Sequence, residues 1–257
     1  MYTAKVEFKI NNYQNDEKQE ELMELLIGSW RMNGQILGKE HLWVREKEFY
    51  TMYLYIPEKE SLDEKHHNKY ALKDLNNLDA IGLTKPTITI LDYKEPDTTL
   101  CDCSKPSEYI LYTTYTMLSS ALRCKKCFGT IPLYHIPKLY DDSDYYPLIT
   151  WQSDYQACDT LQMNCNGGVR FAYKQLGSFD SQLSKDGLAI CKNITKLTGI
   201  KTYYYLYKYV AKSKKQELLR KCPSCQGEWL LNKPLHELFD FECKKCTLLS
   251  NIGWDKR

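Results

Sequence analysis

Four cysteines, Cys222, Cys225, Cys243 and Cys246, form two Cys-x-x-Cys pairs separated by seventeen residues. Four thiolates at that spacing suit a tetrahedral divalent cation, with Zn–S distances of about 2.3 Å. Each pair folds two sulfurs onto one side of such a site. The segment 226–242 between them is long enough for strands that run out and back, the layout of a zinc ribbon. Two other chemistries compete, a redox Cys-x-x-Cys and a pair of disulfides. A redox motif usually appears once, opening a helix in a βαβ unit, whereas here two pairs stand in tandem, which favours metal. Pro223 fixes the backbone of the first turn. Gln226 stands where glycine is commoner, so Gly227 is expected to supply the positive φ, with the turn shifted by one residue. Lys221, Lys244 and Lys245 flank the set and oppose the formal −2 charge of a four-thiolate site. Metal binding at such sites is worth roughly 10–16 kcal/mol, so the ribbon should not fold without it.

A second set is less regular. Cys101-Asp-Cys103 and Cys124-Lys-Lys-Cys127 lie twenty residues apart, with room for a strand between them. Cys-x-Cys is a less usual ligand pair, but tetrahedral zinc accepts it, and a second Zn²⁺ site is expected here. The competing reading is a single knuckle with free thiols elsewhere. Cys158, Cys165 and Cys191 remain, and are expected to be small buried hydrophobes. The five histidines, His41, His66, His67, His135 and His236, form no His-Glu-x-x-His set. Asp141, Asp142 and Asp144 read as a solvated acidic loop. With no phosphate-cradling glycine loop and no nucleophile elbow, the chain is expected not to be an enzyme, and no small-molecule substrate is evident.

Charge is unevenly spread along the 257 residues although the net is only +2. Residues 1–100 balance at −5 (13 basic, 18 acidic), residues 101–191 at −1 (8 and 9), and residues 192–257 at +8 (14 and 6). The basic end carries Lys201, Lys208, Lys212, Lys214, Lys215, Arg220 and Lys221, interleaved with Tyr203, Tyr204, Tyr205, Tyr207 and Tyr209. Cations for phosphates and aromatics for stacked bases are what a single-strand nucleic-acid binder needs. The plainer account is a solvated lysine-rich face, and tyrosines of opposite parity on one strand cannot all face a ligand. The opening ten residues alternate like a strand and do not resemble a signal peptide, and no segment approaches the ~20 apolar residues of a spanning helix. Eleven cysteines in such a chain imply a reducing, cytoplasmic setting where thiolates bind metal.

Periodicity supplies the elements that must hold these residues. Tyr2 to Ile10 alternates as a strand. Asp16 to Met32 is helical, with Asp16 as its cap and Leu22, Leu25, Leu26 and Trp30 on one face. His41 to Val44 and Phe49 to Ile56 read as strands, Ser61 to Asn77 as a helix capped by Ser61 with Leu72 and Leu75 inward, and Thr87 to Asp92 as a strand. This β-α-β-β-α-β order predicts an α+β chain whose residues 1–95 form a ferredoxin-like sandwich. Residues 96–215 are expected to form a mixed α/β zinc-knuckle middle domain. Its elements are a strand over Tyr109 to Met117, helices over Tyr146 to Met163 and Ser181 to Leu197, and a strand over Lys201 to Val210. Residues 216–257 are the all-β C-terminal ribbon.

Many residues in order also carry a resemblance. They are Cys124-x-x-Cys127-Phe-Gly-x-x-Pro132-Leu-Tyr134, Trp151, Ala157-Cys158-Asp159-x-Leu-Gln-Met-x-Cys165, and Leu183-Ser184-x-x-Gly187. Further on come Tyr203-Tyr-Tyr205-Leu206, Cys222-Pro-x-Cys225 and Phe241-x-Cys243-x-x-Cys246-x-Leu-x-Ser250-Asn251. In these stretches the chain resembles a bacterial family of largely uncharacterised zinc-ribbon proteins with a suggested nucleic-acid role. The resemblance implies zinc and suggests nucleic acid as partner; Gln226 departs from the usual glycine. Two functions are therefore expected in parallel. One is a non-enzymatic zinc protein contacting nucleic acid through its basic C-terminal third. The other is an immunity protein that occludes a cognate toxin, its acidic N-terminal half mimicking the polyanion a basic toxin expects.

Overall fold

The computed structural model describes residues 1–12, 16–91 and 99–256. They form two compact units: residues 1–100, 118–120 and 130–146 in the first, and 101–117, 121–129 and 147–257 in the second. Residues 216–257 are thus grouped with the middle segment.

The first unit follows the order β1 (Tyr2–Lys9), α1 (Asp16–Met32), β2 (Trp43–Arg45), β3 (Phe49–Ile56), α2 (Lys69–Asn77) and β4 (Thr87–Leu91). The sheet order is β2-β3-β1-β4 with every neighbouring pair antiparallel. Register explains the core: Ala4, Val6 and Phe8 of β1 lie beside Leu54, Met52 and Tyr50 of β3, and all six are buried with Met23, Leu26, Ile27 and Trp30 of α1. Period-two alternation places these side chains on one sheet face, where α1 covers them.

The expected second helix is shorter than its pattern suggests. Ser61 does not cap it; its Oγ instead accepts from Glu58 N at 2.8 Å and closes a turn. The cap is Asn68, whose side chain accepts from Ala71 N at 2.9 Å, so α2 starts at Lys69. That start rotates the inward face onto Ala71, Asp74 and, in part, Leu75, and leaves Leu72 exposed. Asp16 is the first residue of α1, and Asp92, the expected end of the fourth strand, lies outside the described residues.

The second unit contains β5 (Glu108–Leu111), β6 (Leu122–Cys124), α3 (Tyr146–Asn164, from its second residue), α4 (Val169–Gly177), α5 (Gln182–Thr198), β7 (Lys201–Leu206), α6 (Lys214–Leu218), β8 (Leu230–Leu235), β9 (Phe239–Cys243) and β10 (Leu248–Ser250). One six-stranded sheet runs β6-β5-β7-β10-β9-β8, with the β5–β7 and β7–β10 pairs parallel. The ribbon's strands therefore continue the sheet that carries the first cysteine set. Tyr204 points to the helices, where Trp151 lies against it at 6.0 Å and its hydroxyl reaches Ser184 Oγ at 3.4 Å. Gly187 of α5 permits that approach, since a Cβ there would stand 2.1 Å from Tyr204 Cε2. Tyr203 and Tyr205 point the other way, into a cluster with Ile110, Tyr112, Phe239 and Leu249.

Three sequence expectations change here. The strand from Tyr109 ends at Leu111, with one further in-register bond to the β6 side, Tyr112 N to Ala121 O at 2.8 Å, before the chain leaves the sheet. The strand from Lys201 ends at Leu206, because Asn251 captures the chain: its Oδ1 accepts from Lys208 N at 2.8 Å and its Nδ2 donates to Lys208 O at 2.6 Å. The Asn-Gly-Gly after α3 does more than stop a helix, since Gly168 takes a φ of 79° and starts α4.

Candidate metal centres

Both cysteine sets converge. Cys101, Cys103, Cys124 and Cys127 place their four sulfurs within 4.8 Å of one another, and Cys222, Cys225, Cys243 and Cys246 do the same. A tetrahedral cation with sulfurs at about 2.3 Å sets neighbouring sulfurs about 3.8 Å apart. The Cys103–Cys124 and Cys225–Cys243 separations are 3.9 and 3.7 Å. A disulfide would require about 2.05 Å, and all eleven cysteines are free thiols. Each group could hold a metal ion.

The local fold explains the convergence. In the first set Cys124 ends β6, and Cys101 and Cys103 lie in the segment leading to β5, its hydrogen-bonded neighbour. In the second, Cys243 ends β9, Cys246 closes the turn into β10, and Cys222 and Cys225 precede β8. Every Cys-x-x-Cys turn has the same backbone device: the residue after its second cysteine is left-handed. Phe128 has φ 63°, Gln226 φ 58° and Thr247 φ 51°. The first two donate back to the first cysteine's carbonyl, Phe128 N to Cys124 O at 2.8 Å and Gln226 N to Cys222 O at 2.9 Å. The positive φ expected of Gly227 therefore falls on Gln226 itself, and the turn is not shifted.

Such turns aim backbone N–H groups at sulfur. Gly129 N donates to Cys127 Sγ at 3.4 Å. The Gly227 N–H is the largest influence on Cys225 and, with the neighbouring thiols, brings it down to about 7. Burial pushes Cys243 up to about 12. It also raises Cys101, Cys103 and Cys222. Cys127 ends below the usual thiol value, because the Gly129 N–H and three adjacent thiols outweigh its burial. Within each cluster one thiol is shifted towards the anion and two of its neighbours away from it. Four thiolates together need a cation to balance them.

Other expected site residues divide. Lys201, Lys212, Lys214, Lys215 and Lys221 are exposed, Lys221 in an ion pair with Glu228, and half-buried Lys208 lies 4.0 Å from Glu217. Arg220 is not part of this surface. Its guanidinium lies over Phe241 and Trp229 (4.3 and 5.1 Å to the ring centroids), donates to Asn251 O at 2.7 Å and pairs with Glu217 at 3.3 Å. Tyr203, Tyr204 and Tyr205 are buried on both sheet faces and offer no stacking platform, whereas Tyr209 is exposed and already stacks on Tyr173 at 5.4 Å. Cys158 and Cys191 are buried as expected of small hydrophobes, but Cys165 is exposed. Among the described residues no helix is long and apolar enough to cross a membrane.

Two polar constellations join residues far apart in the chain. In the first unit Glu58 Oε2 lies 2.9 Å from His135 Nε2 and accepts from the Tyr134 hydroxyl at 2.8 Å; Tyr134 also meets Ser61 Oγ at 2.7 Å. His135 lies 77 positions after Glu58, so no local pattern announces the pair. In the second unit Lys125, inside the first knuckle, reaches Glu108 and Glu242, each at 2.7 Å. Its place between two cysteines is visible in the sequence; the carboxylates that bury it are not.

The chain belongs to the family of an "Uncharacterized protein" of Haemophilus influenzae (strain ATCC 51907 / DSM 11121 / KW20 / Rd). The two are 33% identical over 266 residues, covering 99% of each chain. A second "Uncharacterized protein" of that organism is 38% identical over 156 residues, spanning 59% of this chain and 74% of its own. Three family models match in succession, each a domain of unknown function: DUF8589 over residues 1–92, DUF2310 over 103–207 and DUF8594 over 211–256. The middle model begins at Cys103, so Cys101 lies outside it. A solved structure described as a proposed antibiotic biosynthesis monooxygenase of Deinococcus radiodurans shares 12% identity, covering 39% of this chain and all of that one. Its TM-score of 0.27 carries no argument about fold or activity.

Proposed function

We propose that this is a non-enzymatic, two-zinc binding protein of the bacterial cytoplasm, whose metal sites hold a rigid sheet that docks on nucleic acid. One observation carries the reading: eight cysteines from four separated segments gather into two groups whose sulfurs all lie within 4.8 Å, with every thiol free. All-thiolate tetrahedral sites without an open ligand position are typical of structural zinc. Eleven free thiols suit a reducing compartment. The nucleic-acid contact falls to Lys201, Lys208, Lys212, Lys214, Lys215 and Lys221, with Arg220 assigned to the interior instead. The first unit is read as a ferredoxin-like sandwich, supported by its β-α-β-β-α-β order and antiparallel β2-β3-β1-β4 sheet.

Elemental analysis of purified protein tests the metal reading. Two zinc ions per chain are expected for wild type and about one for Cys101→Ser. No bound metal, or one ion in both proteins, would overturn the two-site assignment. Titration of single-stranded RNA and DNA against salt tests the partner. Six lysine–phosphate contacts would give a log–log slope of roughly −4 on a single strand. Micromolar protein with no salt-sensitive binding would remove nucleic acid from the reading.

A further inference from the structure

The two four-cysteine groups meet through one lysine. Lys125 follows Cys124 in the first knuckle, and Glu242 precedes Cys243 in the second site. Lys125 Nζ lies 2.7 Å from Glu242 Oε1 and 2.7 Å from Glu108 Oε2, with side-chain exposures of 10% for the lysine and 9% for Glu242. The ammonium also sits 4.1 Å from the centroid of the Tyr203 ring, whose hydroxyl donates to Glu108 Oε1 at 2.9 Å. Lys125 N, meanwhile, donates to Glu108 O at 2.9 Å.

A separate contact ties the same two segments. The turn between β8 and β9 holds His236 and Glu237 in left-handed backbone, φ 52° and 56°. From that turn His236 Nε2 donates to Lys125 O at 2.7 Å. Its ring stacks on Phe128, the left-handed residue of the first knuckle, at 4.9 Å and 25°. The hairpin that ends in Cys243 therefore rests on the knuckle that contains Cys124 and Cys127.

We infer that Lys125 and His236 couple the two sites, so that each ion binds more tightly when the other is in place; this rests on the two-zinc reading above. The physical reason is that a buried ammonium and its carboxylates are balanced only together. The first knuckle presents Lys125 correctly only when its backbone is fixed, which is what an ion on Cys124 and Cys127 does. If that knuckle loosens, Glu242 keeps its buried position beside Cys243 without its cation, and the hairpin loses its platform. Coupling of this kind is reciprocal and commonly amounts to about 5–150-fold in affinity.

A thermodynamic cycle on the full chain tests it. Zinc affinity is measured by competition with a chromophoric chelator, with native mass spectrometry counting ions. Cys101→Ser with Cys103→Ser leaves only the ribbon site, and Cys222→Ser with Cys225→Ser leaves only the first. The product of the two stepwise constants of wild type is expected to exceed the product of the single-site constants at least tenfold. Repeating the cycle in a Lys125→Met background is expected to bring that ratio towards one. A wild-type ratio within twofold of one, or a tenfold ratio untouched by Lys125→Met, overturns the coupling. Should a cysteine variant fail to fold, Lys125→Met alone decides. Two ions still bound in excess zinc, with a total affinity at least tenfold lower, support the inference, and unchanged affinity overturns it. A wild-type chain that binds no zinc sinks the two-zinc reading itself, an outcome distinct from two ions bound independently.

Discussion

Gln226 holds a left-handed backbone at φ 58° with a full side chain, directly after a cysteine of the ribbon site. An L-residue there carries a steric cost of about 1 kcal/mol that glycine avoids. Gln226→Gly should therefore stabilise the metal-loaded protein by up to about 1 kcal/mol, read as a higher midpoint in thermal unfolding. A lower midpoint would show that the knuckle does not impose this conformation. Lys125 makes the opposite case. Lys125→Met leaves Glu108 and Glu242 facing each other without their cation, and should cost about 3–5 kcal/mol in chemical denaturation. A loss below about 1 kcal/mol would mean water already screens the triad. The two four-cysteine groups were legible because the spacing within each pair is local in sequence. Lys125 was not, since Glu242 lies 117 positions away and only the sheet brings the two together. Arg220 was misplaced for the same reason: a basic tract gives no sign that Trp229 and Phe241 enclose one of its members.

At the level of elements, α5 lies against β7 because one of its positions has no side chain. An added Cβ at Gly187 would fall 2.1 Å from Tyr204 Cε2 and 2.8 Å from Trp151 Nε1. Alanine is the better helix former by about 1 kcal/mol, but overpacking costs typically 1–3 kcal/mol and here meets two rigid rings. Gly187→Ala is expected to destabilise the protein by a net of up to about 2 kcal/mol, measured by urea unfolding. A stabilising result would mean that helix and strand separate easily. Helices with strong periodicity, α1 and α5, were readable almost to the residue. Boundaries set by a single polar side chain were not: Asn68 delays α2, and Asn251 cuts β7 short. α4 went unread because Asn-Gly-Gly signals a stop, while a left-handed Gly168 can equally begin the next helix.

For the molecule as a whole, acid and chelation should act on different units. In the first unit His41, His66 and His67 are all held below the usual histidine value, chiefly by burial. A base kept neutral by the fold leaves the unfolded chain binding more protons below pH ~6.5, so this stability is complete above that pH and declines as pH falls. Glu58, lowered first by its hydrogen bond from His135, adds a loss in the same direction at more acid pH, below the usual carboxylate value of about 4.3. Thermal melts followed by Trp30 and Trp43 fluorescence, with the other tryptophans replaced, should fall between pH 7 and 5; a flat profile would contradict the neutral assignment. A strong chelator should instead unfold the second unit, seen as lost protection of β7, β9 and β10 amides in hydrogen exchange, while β1 and β3 keep theirs. Simultaneous loss in both would show that the first unit depends on the metals as well.

β10 is only three residues long, yet it is hydrogen-bonded to β7 on one side and β9 on the other. The model boundary at residue 211 thus separates by sequence what hydrogen bonding joins. During synthesis, a ribosome that has already released β5, β6 and β7 must still deliver residues 248–250 before β7 acquires its neighbour on that side. Until then β7 presents an open edge in a chain rich in tyrosine, so the nascent protein is exposed to misassociation, and to the attention of chaperones, for as long as residues 207–247 are being added.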